Sequence, residues 1–480
     1  MFIRKYSLIC LLLVGFGVIV ACNKKWDNHD AITDSAVANN LYQAIKRNSN
    51  LSKFSELLEK SGYSKIISSS KSYTVWAPSN QALASLDPAI ANDSVQLRAF
   101  VGNHISNLSY TTSASLQRIP MLNGKFNRFS SLTFDSANIS TPNLPAANGV
   151  YHIIDKFIPR IDNCWEFLNN STSYPLCKSA FTSLNYNFFD STKATQIATD
   201  PLTGNPIWDS TNAVVLRNSF LDKVSDISDE SKEYTLFVLN DAGYNSEYFK
   251  LSPWFVTNNS DSTKNLTSSY LIKDLVVKGS YTPDQLPDTL TSTQGVKIPI
   301  DKSRILASYK TSNGYVHVLN KLDFNLVDKF PPIIIQGEYP TSFATTDRGA
   351  NTFYRTRNNP NTGLAFYDIL MQNYGFSNYY IRYALTGIPA MKYNASWVAI
   401  NDVQTSPLWL QRLAIGSSQD TTLPVQSITY KNYNEVPLGE FEITSYRYKL
   451  NLYVVGPSGS STTGGNNSIS LDYIKLTPAF

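Results

Sequence analysis

At 480 residues the chain is longer than one hydrophobic core supports, and a prior of roughly 150 residues per domain points to about three units. Apolar residues at 42% and aromatics at 12% can fill such cores, but charged residues at 16% fall below the roughly 25% of ordinary soluble domains, leaving Ser, Thr, Asn and Tyr to cover much of the surface. A net charge of +4 over this length makes no basic field able to hold nucleic acid, which excludes that partner.

The first element is a leader. Arg4 and Lys5 precede an apolar run from Leu8 to Val20 that is too short for a comfortable membrane span. The run ends Ile19-Val20-Ala21-Cys22, which resembles a bacterial lipobox, where small and aliphatic residues present a cysteine thiol for lipid transfer. Residues 1–21 are therefore expected to be a lipoprotein signal peptide, Cys22 the lipidated N-terminus, and the polar stretch 22–35 a tether. Asn23 rather than Asp after that cysteine points, by analogy with other lipoproteins, to the outer membrane.

Beyond the tether, Val37, Leu41 and Ile45 share one helical face, and Phe54, Leu57 and Leu58 another. Tyr73-Thr74-Val75-Trp76 reads as a strand. Asn92-Asp93 is placed to cap a helix whose Leu97, Phe100, Val101, His104 and Ile105 keep helical spacing. Asn148-Gly149 is a turn dipeptide leading into a strand, Val150 to Ile154. This set then recurs. Tyr73 to Asn80 returns loosely as Tyr234 to Asp241, 161 residues on, and Asn148 to Lys156 returns as Asn313 to Lys321, 165 residues on. Two patterns in one order at nearly one separation mark a duplicated domain. Helices wrapping a sheet make each copy α+β. Cys164 and Cys177 lie between the two patterns; in an exported chain without a second cysteine pair for zinc, a disulfide is the expectation.

Thr74-Val75-Trp76-Ala77-Pro78-Ser79-Asn80-Gln81-Ala82-Leu83 resembles the first conserved block of the fasciclin (FAS1) family, in which an Asn or Asp after Ala-Pro ties the next helix. Asn148 to Pro159 is similar to the second block. The resemblance implies two tandem wedge-shaped FAS1-like domains at 36–160 and 161–328, of a kind used in adhesion and in contact with matrix or surfaces, without catalysis. The second copy departs where Ala77-Pro78 becomes Val238-Leu239, and it carries an insertion-rich stretch around Thr192 to Thr211. His152 and His317 hold equivalent places, so each reads as a core histidine of its own domain, as does His104.

After Lys329-Phe330-Pro331-Pro332, where two prolines mark a boundary, period-2 patterns take over. Tyr379, Ile381, Tyr383 and Leu385 alternate with Tyr380, Arg382 and Ala384, and Tyr446, Tyr448, Leu450, Leu452 and Val454 repeat the pattern. Residues 329–480 are expected to form an antiparallel, jelly-roll-like β-sandwich. The closing Leu471-Asp472-Tyr473-Ile474-Lys475-Leu476 resembles the last strand of galactose-binding-like jelly rolls, many of which bind carbohydrate. A sugar site needs aromatic platforms beside planar polar groups, which makes Tyr433, Asn432, Asn434, Tyr374 and Trp409 ligand-binding candidates, with Tyr393, Arg355 and Arg357 behind them. Trp397, inside an apolar run, reads as core.

The chain shows no cluster of His or Cys ligands, no phosphate loop and no nucleophile elbow, so neither enzyme, metal site nor cofactor is expected. The expected function is that of a surface-anchored, non-catalytic lipoprotein for adhesion or extracellular binding, with surface or matrix proteins or polysaccharide as partners. The alternative is a glycan-binding accessory lipoprotein of an outer-membrane polysaccharide uptake complex.

Overall fold

The computed structural model describes residues 39–209, 211–345, 349–403, 405–406, 408–457 and 467–480. The expected signal peptide, lipidated Cys22 and tether lie outside the described residues. No helix among the described residues is long and apolar enough to cross a membrane. The described residues divide into two compact units, one holding 39–167 with 227–233 and 311–314, the other holding the remaining described residues.

In the first unit a seven-stranded sheet runs in the order β2-β1-β7-β6-β5-β4-β3. Its strands are β1 (Tyr73–Pro78), β2 (Ile105–Ser106), β3 (Gln117–Pro120), β4 (Phe126–Phe129), β5 (Thr133–Phe134), β6 (Ala137–Ala146) and β7 (Gly149–Ile154). β1 and β7 pair in parallel from Tyr73 opposite Gly149 to Pro78 opposite Ile154. Both are buried on two faces, which is why their sequences read as apolar runs rather than alternations. On one face Tyr73, Val75, Ala77, Tyr151 and Ile153 pack against Leu41, Ile45, Phe54, Leu58 and Phe100 of the helices. On the other, Trp76 lies stacked 4.4 Å from Phe134 and edge-on 5.1 Å from Phe129.

The helix Ser94–Gly102 is capped by Asp93, whose Oδ1 accepts from the Val95 and Gln96 amides. It stops at Gly102, so His104 and Ile105, expected on its face, lie just beyond it and are buried all the same. Asn80 ties back rather than forward: its Oδ1 accepts from the Lys53 amide and its Nδ2 donates to the Ser49 carbonyl. Its counterpart Asp241 ties back in the same way, Oδ1 accepting from the Leu176 amide, while Asn240, the counterpart of Ser79, caps the following helix, Asp241–Leu251.

The duplication is visible bond by bond. Thr74 Oγ1 donates to the Leu108 carbonyl and accepts from the Tyr110 amide, and Thr235 Oγ1 does the same with Gly279 and Tyr281. His152 Nε2 lies 3.0 Å from the Tyr110 carbonyl, and His317 Nε2 lies 3.0 Å from that of Tyr281. Asn148 Oδ1 accepts from the Leu41 amide, Asn313 Oδ1 from that of Cys164. Gly149 and Gly314 share a φ near +148 and +147, and a Cβ on Gly149 would stand 1.9 Å from the Tyr73 carbonyl oxygen, so only glycine fits.

Those equivalences correct the disulfide. Cys164 and Cys177 are both free and buried. Cys164 matches Leu41 as the first residue of a seven-residue helix, and Cys177, thirteen further on, matches Phe54, likewise thirteen beyond Leu41. Their spacing is that of two core positions. Burial pushes both thiols up to about 12, so they behave as small apolar side chains.

In the second unit the insertion is a pair of two-stranded antiparallel ribbons. β8 (Asn185–Phe189) pairs with β11 (Val214–Asn218), and β9 (Thr195–Thr199) pairs with β10 (Pro206–Asp209). Nearly all their side chains are exposed. β12 (Tyr234–Leu239), β13 (Val276–Lys278), β16 (Ile305–Thr311) and β17 (Gly314–Leu319) form the sheet β13-β12-β17-β16, while β14 (Thr289–Thr291) and β15 (Lys297–Pro299) make a separate hairpin.

The β-sandwich completes this unit. β18 (Ile333–Gln336), β29 (Tyr473–Ala479), β23 (Lys392–Val398) and β26 (Val436–Glu442) form one open sheet in that order. β19 (Ser342–Phe343), β22 (Tyr379–Ile388), β27 (Arg447–Gly456), β24 (Leu410–Ile415) and β25 (Gln426–Ser427) form the second. A third joins β20 (Thr352–Asn358), β21 (Ala365–Met371) and β28 (Ile469–Leu471), and every ladder in the three is antiparallel. Tyr379, Ile381 and Tyr383 point inward as the alternation predicts, and Trp397 is core. Sandwich and second repeat share an aromatic cluster, in which the Trp254 ring lies 4.8 Å from Phe330 and 5.9 Å from Phe480. The Ala390 amide donates to the Trp254 carbonyl and the Tyr446 amide to that of Val256.

Candidate functional site

An open cleft of about 610 Å³ lies on the sandwich, assembled from four separate segments. β18 and the turn after it supply Gln336, Glu338 and Tyr339; the β20–β21 turn supplies Asn359, Thr362 and Leu364; β21 supplies Ala365, Phe366 and Tyr367; the β28–β29 junction supplies Asp472 and Tyr473. Strand pairing decides which rings face out. Tyr367 sits opposite Thr356 and Tyr354 opposite Ile369, so both tyrosines share one face of the hairpin, and they are 57% and 59% exposed. Tyr339, at 75% exposed, stands on the β18 side.

The carboxylates are placed by backbone. The Gly337 amide donates to the Asp472 carbonyl at 2.5 Å, and the Tyr383 hydroxyl donates to the Gly337 carbonyl at 2.8 Å. A Cβ on Gly337 would lie 2.1 Å from the Leu471 carbonyl oxygen, so glycine lets the two turns close and brings Glu338 beside Asp472. Asp472 is pushed up to about 7, first by burial, then by the charges of Asp368 and Glu338. One oxygen of Glu338, Oε2, is buried without a hydrogen-bond partner. Rings facing solvent beside acceptor oxygens can stack the apolar face of a pyranose while the carboxylates accept from its hydroxyls.

Behind β21 the polar groups satisfy one another. Arg355 clamps Asp368 through Nε at 2.8 Å and Nη2 at 2.5 Å and reaches Asp402 at 3.2 Å. Arg357 pairs with Asp402 at 2.9 Å and donates to the Tyr433 hydroxyl at 3.0 Å. Tyr433 lines no part of the cleft; its ring meets the edge of Phe366, which does. Asn432 and Asn434 form a local turn next to it, the Asn434 amide donating to Asn432 Oδ1.

Tyr374 and Trp409, expected at a ligand surface, are corrections: both are 0% exposed. Tyr374 stacks on Tyr379 at 5.2 Å under Gly456, where a Cβ would strike its hydroxyl, and burial raises its pKa. Tyr393 is likewise core. The residues sequence reasoning missed are Glu338, Tyr339, Asn359, Tyr367 and Asp472. Only Asp472 left a signal, as an acid inside the closing strand pattern. A second cleft of about 440 Å³, with Asp420, Glu442, Arg447 and Lys449, has no exposed ring in its lining.

Residues 49–159 match the family model of the Fasciclin domain. Among solved structures, the chain is similar to a FAS1 domain pair from the insect cell adhesion molecule fasciclin I, at 15% identity over 58% of this chain and 99% of that one, with a TM-score of 0.24. It is also similar to a family 35 carbohydrate binding module from Clostridium thermocellum, at 15% identity, 31% and 98% coverage and a TM-score of 0.21. A β-1,3-glucan binding CBM6 from Bacillus halodurans shows 11% identity, 30% and 94% coverage and a TM-score of 0.21. No curated protein matches the chain.

Proposed function

We propose that this protein is a non-catalytic glycan-binding lipoprotein of the outer membrane, reading polysaccharide through the cleft between Tyr339, Tyr367 and Asp472. The exposed tyrosine platforms beside the unpartnered Oε2 of Glu338 carry the reading. Such a site binds modestly, around micromolar, because a few stacked rings and solvent-facing hydrogen bonds leave a small surplus after ordering costs. Delivery of bound polysaccharide to an outer-membrane uptake complex is the role this chemistry suits.

The full chain carrying Cys22→Ser tests two parts of the reading. Loss of the lipid site is expected to move the protein from the membrane fraction to the soluble one; unchanged retention would remove the anchor from the proposal. The released protein is expected to be retarded in gels containing a suitable neutral polysaccharide, and Tyr367→Ala is expected to weaken that binding at least tenfold with little change in melting, since its ring is more than half exposed. Silence across a broad glycan panel would sink the glycan reading, and release of reducing ends would sink the non-catalytic one. The fasciclin domain favours a second reading, adhesion to cells or matrix, which would stand if attachment persisted without glycan binding.

A further inference from the structure

The lining of the cleft is one-sided in charge. Glu338 and Asp472 both face it, and among the described residues none that lines it is Lys, Arg or His. Three cations on the neighbouring strands are already committed: Arg355 and Arg357 are held behind β21 by Asp368 and Asp402, and Lys475 pairs with Glu435 at 3.2 Å, which also takes the Tyr473 hydroxyl. Among the described residues, Oε2 of Glu338 is buried and has no hydrogen-bond partner. A buried acceptor without a donor costs free energy until a ligand supplies one. That acceptor, with the Asp472 carboxyl beside it and short of countercharge, is best met by a group with several donors and a positive charge.

Resting on the glycan-binding reading of this cleft, we propose that its preferred ligand is a cationic amino sugar, a polysaccharide of unacetylated hexosamine units, whose ammonium sits between Glu338 and Asp472 while the sugar face stacks on Tyr367 or Tyr339. An ammonium offers three donors and a point charge, and its approach favours the ionised form of Asp472. An acidic glycan meets the opposite situation: a uronate carboxylate would be brought against two carboxylates with no arginine or lysine among the described lining residues to receive it. A neutral sugar falls between, satisfying the acceptors through hydroxyls without the charge term.

The probes are glucosamine hexamers with and without N-acetyl groups, which share a skeleton and differ in charge, together with polygalacturonate, all titrated at neutral pH into the full chain carrying Cys22→Ser. The unacetylated hexamer is expected to bind at least tenfold more tightly than the acetylated one, with an advantage that shrinks as salt is added, and polygalacturonate is expected not to bind. Glu338→Gln is expected to cut the preference between the two hexamers several-fold; because the readout is a ratio, a general loss of affinity does not mimic it. Equal or tighter binding of the acetylated hexamer, or binding of polygalacturonate, overturns the amino-sugar assignment while leaving the glycan reading intact. Absence of binding to every sugar tested, neutral ones included, overturns both.

Discussion

Replacing Lys329 with methionine is expected to destabilise the second unit by about 3–5 kcal/mol, the cost of leaving one partner of a buried ion pair uncompensated. The side chains of Lys329 and Asp274 are both fully buried, with Nζ 2.5 Å from Asp274 Oδ2 and 2.6 Å from the Tyr270 carbonyl. Ser292 donates to the second oxygen of Asp274 at 2.9 Å, and the ammonium lies 4.3 Å from the Phe324 ring centre. Burial pulls Lys329 down to about 8, and Asp274 opposes that shift, so at neutral pH Lys329 keeps its charge. Removing the cation strands the carboxylate in an apolar setting. The double variant Lys329→Met with Asp274→Leu is expected to recover most of the loss, because a buried pair replaced by apolar side chains of similar volume is often no less stable. Chemical denaturation measures both. A single variant costing under about 1 kcal/mol would contradict the account, since that is the value of a surface pair.

Lys329 also shows where local reading stops. In the sequence Lys329-Phe330-Pro331-Pro332 looks like a boundary, because two prolines end regular structure. The structure does end an element there, yet Lys329 and Phe330 are buried, and Phe330 meets Trp254 and Phe480. Nothing local distinguishes a linker from a joint; the distinction lies in side chains 76 residues upstream of Phe330 and 150 downstream. The repeat, by contrast, was legible because each copy carries its own signals: Asn-Gly with a positive φ at glycine, an apolar strand, a histidine at its fourth position. These survive duplication because each is fixed by neighbours within one domain. The cysteines misled for the opposite reason, their spacing of thirteen being the spacing of two core positions in the copy without cysteines.

The cleft was largely illegible, since Glu338, Asn359, Tyr367 and Asp472 come from four turns and strands brought together by sheet topology. Tyr374 looked like a surface residue because it sits in Asn373-Tyr374-Gly375, with positive φ on both sides. Loop backbone does not imply an exposed side chain, and here the turn folds the ring inward onto Tyr379. Tyr433 was nearer the mark, touching Phe366 from behind, but its hydroxyl is spent on Arg357. A period-2 reading of β21 does place Tyr367 on the face opposite Asp368. What it lacks is the knowledge that the first of those faces is open.

The histidines of the first unit give the second large effect, a loss of stability in mild acid. His104 and His152 are 0% exposed, and burial pushes both down to about 4 from an ordinary value of 6.5. Their hydrogen bonds say why the fold refuses a second proton. His104 Nε2 accepts from the Ile158 amide while Nδ1 bonds the Phe100 carbonyl, and His152 Nδ1 accepts from the Asn143 amide while Nε2 bonds the Tyr110 carbonyl. In each ring one nitrogen is already occupied as an acceptor, so protonating it sets two hydrogens against each other. The unfolded chain takes up these protons near pH 6.5 and the folded chain only near 4, so the stability they confer is complete above about 6.5 and falls as pH drops toward 4. Each residue contributes about 3 kcal/mol across that window, and together they approach the roughly 5–15 kcal/mol that holds an ordinary domain folded. Denaturation midpoints measured at intervals between pH 7 and 4 should therefore fall steeply for the first unit. His152→Gln is expected to lower stability at pH 7 through lost packing against Trp76, yet to flatten the pH dependence by one proton, about 1.4 kcal/mol per pH unit. A variant that keeps the full slope would show that the protons are taken up elsewhere.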